Sequence, residues 1–338
     1  MKLTKYLRIL TMAVITAFMA GCGSNDTDPV EEEFVFPSKV INRIAIDDIG
    51  TKWFATEKGI ISFDGLTWKS YTDDQNKTTG PIADIVLEIV PGMKKIWMAT
   101  NSGLSAFNFE ADKTSTSNYN TVKDEILSDT VSAVNVDEKA VKYIGTSKGL
   151  SILKNEKWDE FYGRSGEEIL ADYKISSVAI ASNGYIYAAT MGGGISRFKY
   201  TDAVSGATTF DLPWAGGLPS ENVLCAITDG NAQWYGTDAG VAFHASELTK
   251  SDWTTYTRAE GLVCDTVYSI AKDQAGNIWF GTHKGVSKLS GNQWQSITKT
   301  DGLLDNKVNT IAIDKDNSVW FGTDKGISHY SGGKWINY

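Results

Sequence analysis

The 338-residue chain holds 41 acidic and 32 basic residues, a formal charge of −9, and so lacks the basic balance that a nucleic-acid partner calls for. Its 42% hydrophobic and 11% aromatic content supplies ample core for one large domain, where length alone would allow two or three. Small molecules, glycans and proteins are left as partners.

Residues 1–21 read as a secretory signal. Lys2, Lys5 and Arg8 precede the apolar run Ile9 to Met19, which ends in the small residues Ala20 and Gly21; the run is too short between its flanks for a membrane span. Met19-Ala20-Gly21-Cys22 resembles a bacterial lipobox, in which Cys22 takes a diacylglycerol and becomes the mature N-terminus. The domain is then anchored to the membrane and not embedded in it. From Gly23 to Glu33 the chain carries two Asp and three Glu with no base, a flexible acidic tether within residues 22–37. Such a run behind a lipidated Cys resembles a surface-export signal of Bacteroidota, which points to the outer membrane.

From residue 38 to the C-terminus one pattern recurs seven times. Its anchor is the Thr of a [G/A]-T step, at Thr56, Thr100, Thr146, Thr190, Thr237, Thr282 and Thr323, spaced by 41 to 47 residues, a period that marks a repeat architecture. Each copy reads as four short strands with period-two alternation, for example Val308 to Ile313, Val319 to Thr323, Gly326 to Tyr330 and Lys334 to Tyr338. Seven such units predict an all-β domain over residues 38–338, a seven-bladed β-propeller of four-stranded antiparallel blades. The units run in phase from inner to outer strand, so the ring should close without a shared blade, with Phe34 to Phe36 near the junction of blades 1 and 7. The residue before each anchor is small (Ala55, Ala99, Gly145, Ala189, Gly236, Gly281, Gly322), as a close approach of sheets requires. The Gly three positions after it (Gly59, Gly103, Gly149, Gly193, Gly240, Gly285, Gly326) suits a turn with positive φ.

The repeat separates scaffold from decoration. Ten of the eleven Trp fall in two packing slots, on the second strand (Trp53, Trp97, Trp234, Trp279, Trp320) and the fourth (Trp68, Trp158, Trp253, Trp294, Trp335), so they are not site candidates. Trp214 is the exception: it stands in the connection into blade 5, where other units carry Lys299 and Arg258, and its ring could stack on a sugar or merely cover a blade edge. A slot just before each inner strand reads Lys39, Asp84, Asp129, Tyr173, Glu221, Asp265 and Asn306. Its carboxylates could hold a cation or receive sugar hydroxyls at the channel mouth, and Asp and Asn also close turns through their own side chains. The turns after the anchor add Lys58, Lys148, His283, Lys284, Asp324 and Lys325 to the same face. That face, with the blade-to-blade connections, is favoured for binding over the opposite one, where blades 2, 4 and 5 lengthen their outer turns.

Chemistry of other kinds finds little footing. The three His do not share a slot, and there is no Gly-x-Ser-x-Gly elbow, His-x-x-x-His pair or phosphate loop. No cofactor is implied. Cys225 and Cys264 sit at different places in adjacent units and read as two unpaired thiols, at least one of them buried.

The segments "EGLVCDTVYSIAKDQAGNIWFGTHKGVSKL" and "DGLLDNKVNTIAIDKDNSVWFGTDKGISHY" resemble the two-component-regulator propeller repeat, with its G-L-x-x-N-x-V and D-x-x-G-x-[IL]-W-[IF]-G-T-x-x-G-[LI] pattern. The match is strong in units 1, 5, 6 and 7 and weaker in 2, 3 and 4. The resemblance implies a sensor-type propeller, since family members form periplasmic sensor regions that in many cases respond to glycan breakdown products. The expected function is a non-catalytic, lipid-anchored propeller that binds a glycan or a partner protein. A propeller lyase or hydrolase working through carboxylates of different blades, and a structural partner of an outer-membrane complex, stand as alternatives.

Overall fold

Each blade starts from a β-branched residue that the ring buries completely: Ile41, Ile82, Val131, Ile175, Val223, Val267 and Val308 are all 0–1% exposed. In the computed structural model, which describes residues 34–71, 81–90, 93–110, 113–161, 170–201, 204–210, 217–245 and 253–338, these residues open the seven inner strands. The strands run Ile41–Ile46, Ile82–Val90, Val131–Val136, Ile175–Ile180, Val223–Asp229, Val267–Lys272 and Val308–Ile313. Every sheet consists of four consecutive strands paired antiparallel in chain order. The chain is a seven-bladed β-propeller, as the repeat predicts.

The repeated residues show how such a chain closes. Every anchor Thr is fully buried; the Thr282 hydroxyl donates to the Gly285 carbonyl at 2.7 Å and accepts from the Lys284 amide at 3.1 Å, and the other six blades repeat the clasp. Gly285 has φ of 132° and an added Cβ would stand 2.5 Å from the Ile297 carbonyl oxygen, so glycine is required twice over. Blade 4 departs from the expected spacing: one residue is inserted, and the carbonyl that Thr190 reaches is that of Gly194, at φ 80°, rather than of Gly193.

Between blades, the small slot lets the inner strand of the next blade press on the second strand. A Cβ on Gly322 would meet Ile41 Cγ2 at 2.6 Å, which places blade 1 directly against blade 7. The second-strand Trp residues fill the same seams. Trp320 lies 6.0 Å from Phe54, and the C-terminal Tyr338 packs edge-on to Trp68 at 5.2 Å. Lys52 of blade 1 adds an ion pair to Asp314 of blade 7 at 2.6 Å. No blade is shared, in agreement with the expectation, and Phe36 does pack against Trp68, at 4.9 Å.

At this seam the His329 ring stacks on Trp320 at 4.0 Å. Burial lowers its pKa from the ordinary value, against the pull of Asp316. The folded chain therefore binds fewer protons than the unfolded one as acid is added, so the stability is complete above the unfolded His value of about 6.5 and falls as the pH drops through it. Thermal unfolding should show a smaller loss between neutral and mildly acidic pH in His329→Gln than in the parent. Equal losses would place the acid sensitivity elsewhere.

Cys225 and Cys264 are both free and both buried, as expected, and burial pushes the Cys225 thiol up to about 12. Peptide mapping after alkylation at neutral pH should leave both unmodified in the native protein and modify both in denaturant. Modification of either under native conditions would show that its blade opens.

Candidate functional site at the channel mouth

In all seven blades the register between inner and second strand skips the inner strand's second residue. A bulge of this kind frees one side chain from the ladder and re-aims it. The seven skipped residues are Asn42, Ala83, Ser132, Ser176, Leu224, Tyr268 and Asn309. Together with Arg43, Pro81, Asp84 and Asn101 they line a cavity of about 340 Å³ at the channel mouth, within the range of small-ligand sites of about 300–1,000 Å³. A second cavity of about 230 Å³ continues down the channel, shares Arg43 and Asp84, and is otherwise lined by Asn135 and by small and aliphatic side chains such as Ser177, Ser269, Val178 and Ile311.

Several mouth residues also tie neighbouring blades. The Asn42 amide donates to the Ile82 carbonyl at 2.8 Å and that of Asn309 to the Ile41 carbonyl at 3.1 Å, while the Ser132 and Ser176 hydroxyls donate to the Ile175 and Val223 carbonyls. Tyr268 is half-buried, with its hydroxyl 3.4 Å from His283 Nδ1. Arg43 and Asp84 form an ion pair with Nε to Oδ1 at 2.5 Å, and the carboxylate raises the arginine's pKa further above its ordinary value.

Asp84 is a correction to the sequence alignment. It is the third residue of its inner strand and not the turn position before it, because Ile82 is the buried starting residue of blade 2. It is also the one member of that predicted slot that lines the mouth cavity. Three others fasten their own connections: Asp129 accepts from the Thr121 amide at 2.7 Å, Asp265 from the Arg258 amide at 2.7 Å, and Asn306 from the Lys299 amide at 2.9 Å. Lys39 and Tyr173 are exposed, and Glu221 is half-buried with its carbonyl accepting from Gly192 and Gly194. Arg258, His283 and Lys284 are exposed on the predicted face. Trp214 and Cys22 lie outside the described residues. Among the described residues no three of His, Cys, Asp and Glu stand close enough to hold a metal ion.

Away from the mouth, a groove of about 710 Å³ on the opposite face runs between blades 3, 4 and 5, lined in part by Tyr143, Asn183, Lys199 and Tyr200. Its tyrosines are engaged: Tyr143 donates to Asp137 at 3.2 Å and Tyr200 to Asp159.

The two-component regulator propeller model matches residues 261–284 and 302–325. Each match opens on a Gly-Leu step, and Leu262 and Leu303 are buried while their glycines, at φ 129° and 116°, lie against Trp294 and Trp335. Blades 6 and 7 thus carry two-component regulator propeller repeats. Solved structures agree with that fold. The extracellular domain of a putative hybrid two-component system from B. thetaiotaomicron superposes with a TM-score of 0.70 at 23% identity, over 87% of this chain and 40% of its own. PorZ, a surface component of the type-IX secretion system of Porphyromonas gingivalis, gives 0.68 at 16% over 86% and 46%. Virginiamycin B lyase from Staphylococcus aureus gives 0.62 at 13% over 86% and 93%. This propeller thus spans about two fifths of the two-component domains it resembles. No curated protein matches the chain. Among the described residues no helix is long and apolar enough to cross a membrane.

Proposed function

We propose that the chain is an exported propeller, tethered by a lipid on Cys22, that binds a saccharide at the mouth of its central channel and acts by binding and not by turnover. The ring of bulges supports this reading: five of the seven blades deliver side-chain amides, hydroxyls or a tyrosine ring to one cavity, with Ala83 and Leu224 from the other two, a set suited to several hydroxyls and one stacked sugar face. The likeness to extracellular domains of two-component systems supports a ligand-sensing role. Trp214 and the exposed Arg258, His283 and Lys284 belong to the same proposal as an outer rim of the site. Tyr173, Glu221, Asp129, Asp265 and Asn306 frame it.

Tyr268 gives the direct test. Stacking on an aromatic ring contributes about 1–3 kcal/mol, so Tyr268→Ala should weaken saccharide binding about ten- to a hundredfold with little change in unfolding temperature. Unchanged affinity in the folded variant would move the site away from the mouth. Capture of a protein partner by the intact face, with a blank saccharide panel, would favour the protein-binding alternative.

A further inference from the structure

At the third residue of the inner strand, five blades carry a small side chain: Ala133, Ser177, Cys225, Ser269 and Thr310. Blades 1 and 2 carry Arg43 and Asp84 instead. The hydroxyl members of this slot have a structural task, accepting an amide of the next blade: Ser177 from Ala226 at 3.2 Å, Ser269 from Ile311 at 3.0 Å and Thr310 from Ile44 at 3.3 Å. Asp84 performs it too, taking the Val134 amide on Oδ2 at 3.1 Å. A serine would serve there. The second carboxylate oxygen, which takes Arg43 Nε at 2.5 Å, is what only an acid supplies.

Bringing a charged pair into a channel costs desolvation that hydroxyls would avoid. The pair's effect is to fix a guanidinium at the junction of the two cavities, both of which Arg43 lines. Its Nε is spent on Asp84, but among the described residues its Nη groups have no acceptor, and the side chain stays 32% exposed. Two carboxylates of the surrounding rim have partners of their own. Asp324 takes Lys307 at 3.0 Å and the Asn309 amide at 2.8 Å, and Asp238 takes the Asn222 amide at 2.8 Å. The open donor edge at the mouth is therefore the Nη face of the Arg43 guanidinium, planar and held in place by Asp84, the geometry that recognises a carboxylate.

We infer that the ligand is an acidic saccharide whose uronate carboxylate sits on the Nη groups of Arg43, with its hydroxyls among Asn101, Ser132, Ser176 and Tyr268. This rests on the saccharide reading above and narrows it to a chemical class.

The test is calorimetric titration of the full protein with short galacturonate and glucuronate oligomers, the same oligomers after carboxyl reduction, and sulfated neutral oligomers. Carboxyl reduction should weaken binding about ten- to a hundredfold, as loss of a charge-assisted contact does. Arg43→Gln should lose as much with the acidic oligomer and nothing further with the reduced one, and Arg43→Lys should fall between. The comparison of acidic and reduced ligand on the unaltered protein holds even if a variant folds poorly. Equal binding of acidic and reduced oligomers, or tighter binding of sulfated ones, overturns the carboxylate assignment and leaves the saccharide site standing. A panel that is blank throughout overturns both.

Discussion

Trp279→Ala is expected to lower the stability of the propeller by about 3–5 kcal/mol, the range for deleting a large buried aromatic. The indole is 2% exposed. It lies 5.9 Å from Phe321 of the next blade, with the Lys288 ammonium 4.6 Å from its centre. Its Nε1 donates to Asp273 at 2.9 Å, so truncation opens a cavity at a blade seam and also removes a partner from a carboxylate that closes the first turn of the blade through the Ala275 and Asn277 amides. Denaturant unfolding followed by tryptophan fluorescence measures the change. A loss below about 1 kcal/mol, the ordinary size of a substitution outside the core, would mean the seam is not packed as described.

Asp84→Ala is expected to cost about 3 kcal/mol, near the low end for breaking a buried ion pair because the channel partly solvates the arginine left behind. The carboxylate joins three blades: it accepts from Arg43 of blade 1, from the Ile85 amide of its own strand at 3.0 Å, and from the Val134 amide of blade 3. The double variant Arg43→Ala/Asp84→Ser copies the small residue and hydroxyl that blades 3 and 4 carry at this slot, so it should regain most of the lost stability while binding the acidic ligand no more tightly than the carboxyl-reduced one. Chemical denaturation of the single and double variants decides it. A double variant as unstable as Asp84→Ala would make the pair a structural necessity and weaken the case that it is kept for a ligand.

Most of the fold was legible because the repeat reports itself seven times. The Thr clasp, the small residue before it and the paired Trp slots are chemical requirements of a blade, and each recurs where the geometry demands it. Blade 4 misled by one residue because its turn, Met191 to Gly194, contains three consecutive glycines and only the backbone tells that Gly192 and Gly194, and not Gly193, adopt positive φ. The site was legible in part. The place of Asp84 at the channel mouth could be read, but it was aligned with turn residues because the Gly80-Pro81 step hides where the inner strand of blade 2 begins. The mouth ring was missed, since the break in alternation that the bulge makes, as in Thr310-Ile311 where two adjacent residues are buried, does not by itself say which side chain is freed toward the channel. A signal was present: Arg43 and Asp84 are charges two residues after the apolar start of an inner strand, where the other five blades have none.

The proposed saccharide site at the mouth is tested most directly by a crystal structure of the protein soaked with the tightest-binding oligosaccharide. The account predicts ligand density within the ring of Asn42, Ser132, Ser176, Tyr268 and Asn309, with an acidic group against Arg43. Ligand seated instead in the groove of Tyr143, Asn183 and Tyr200 on the opposite face, with the mouth empty, would contradict it.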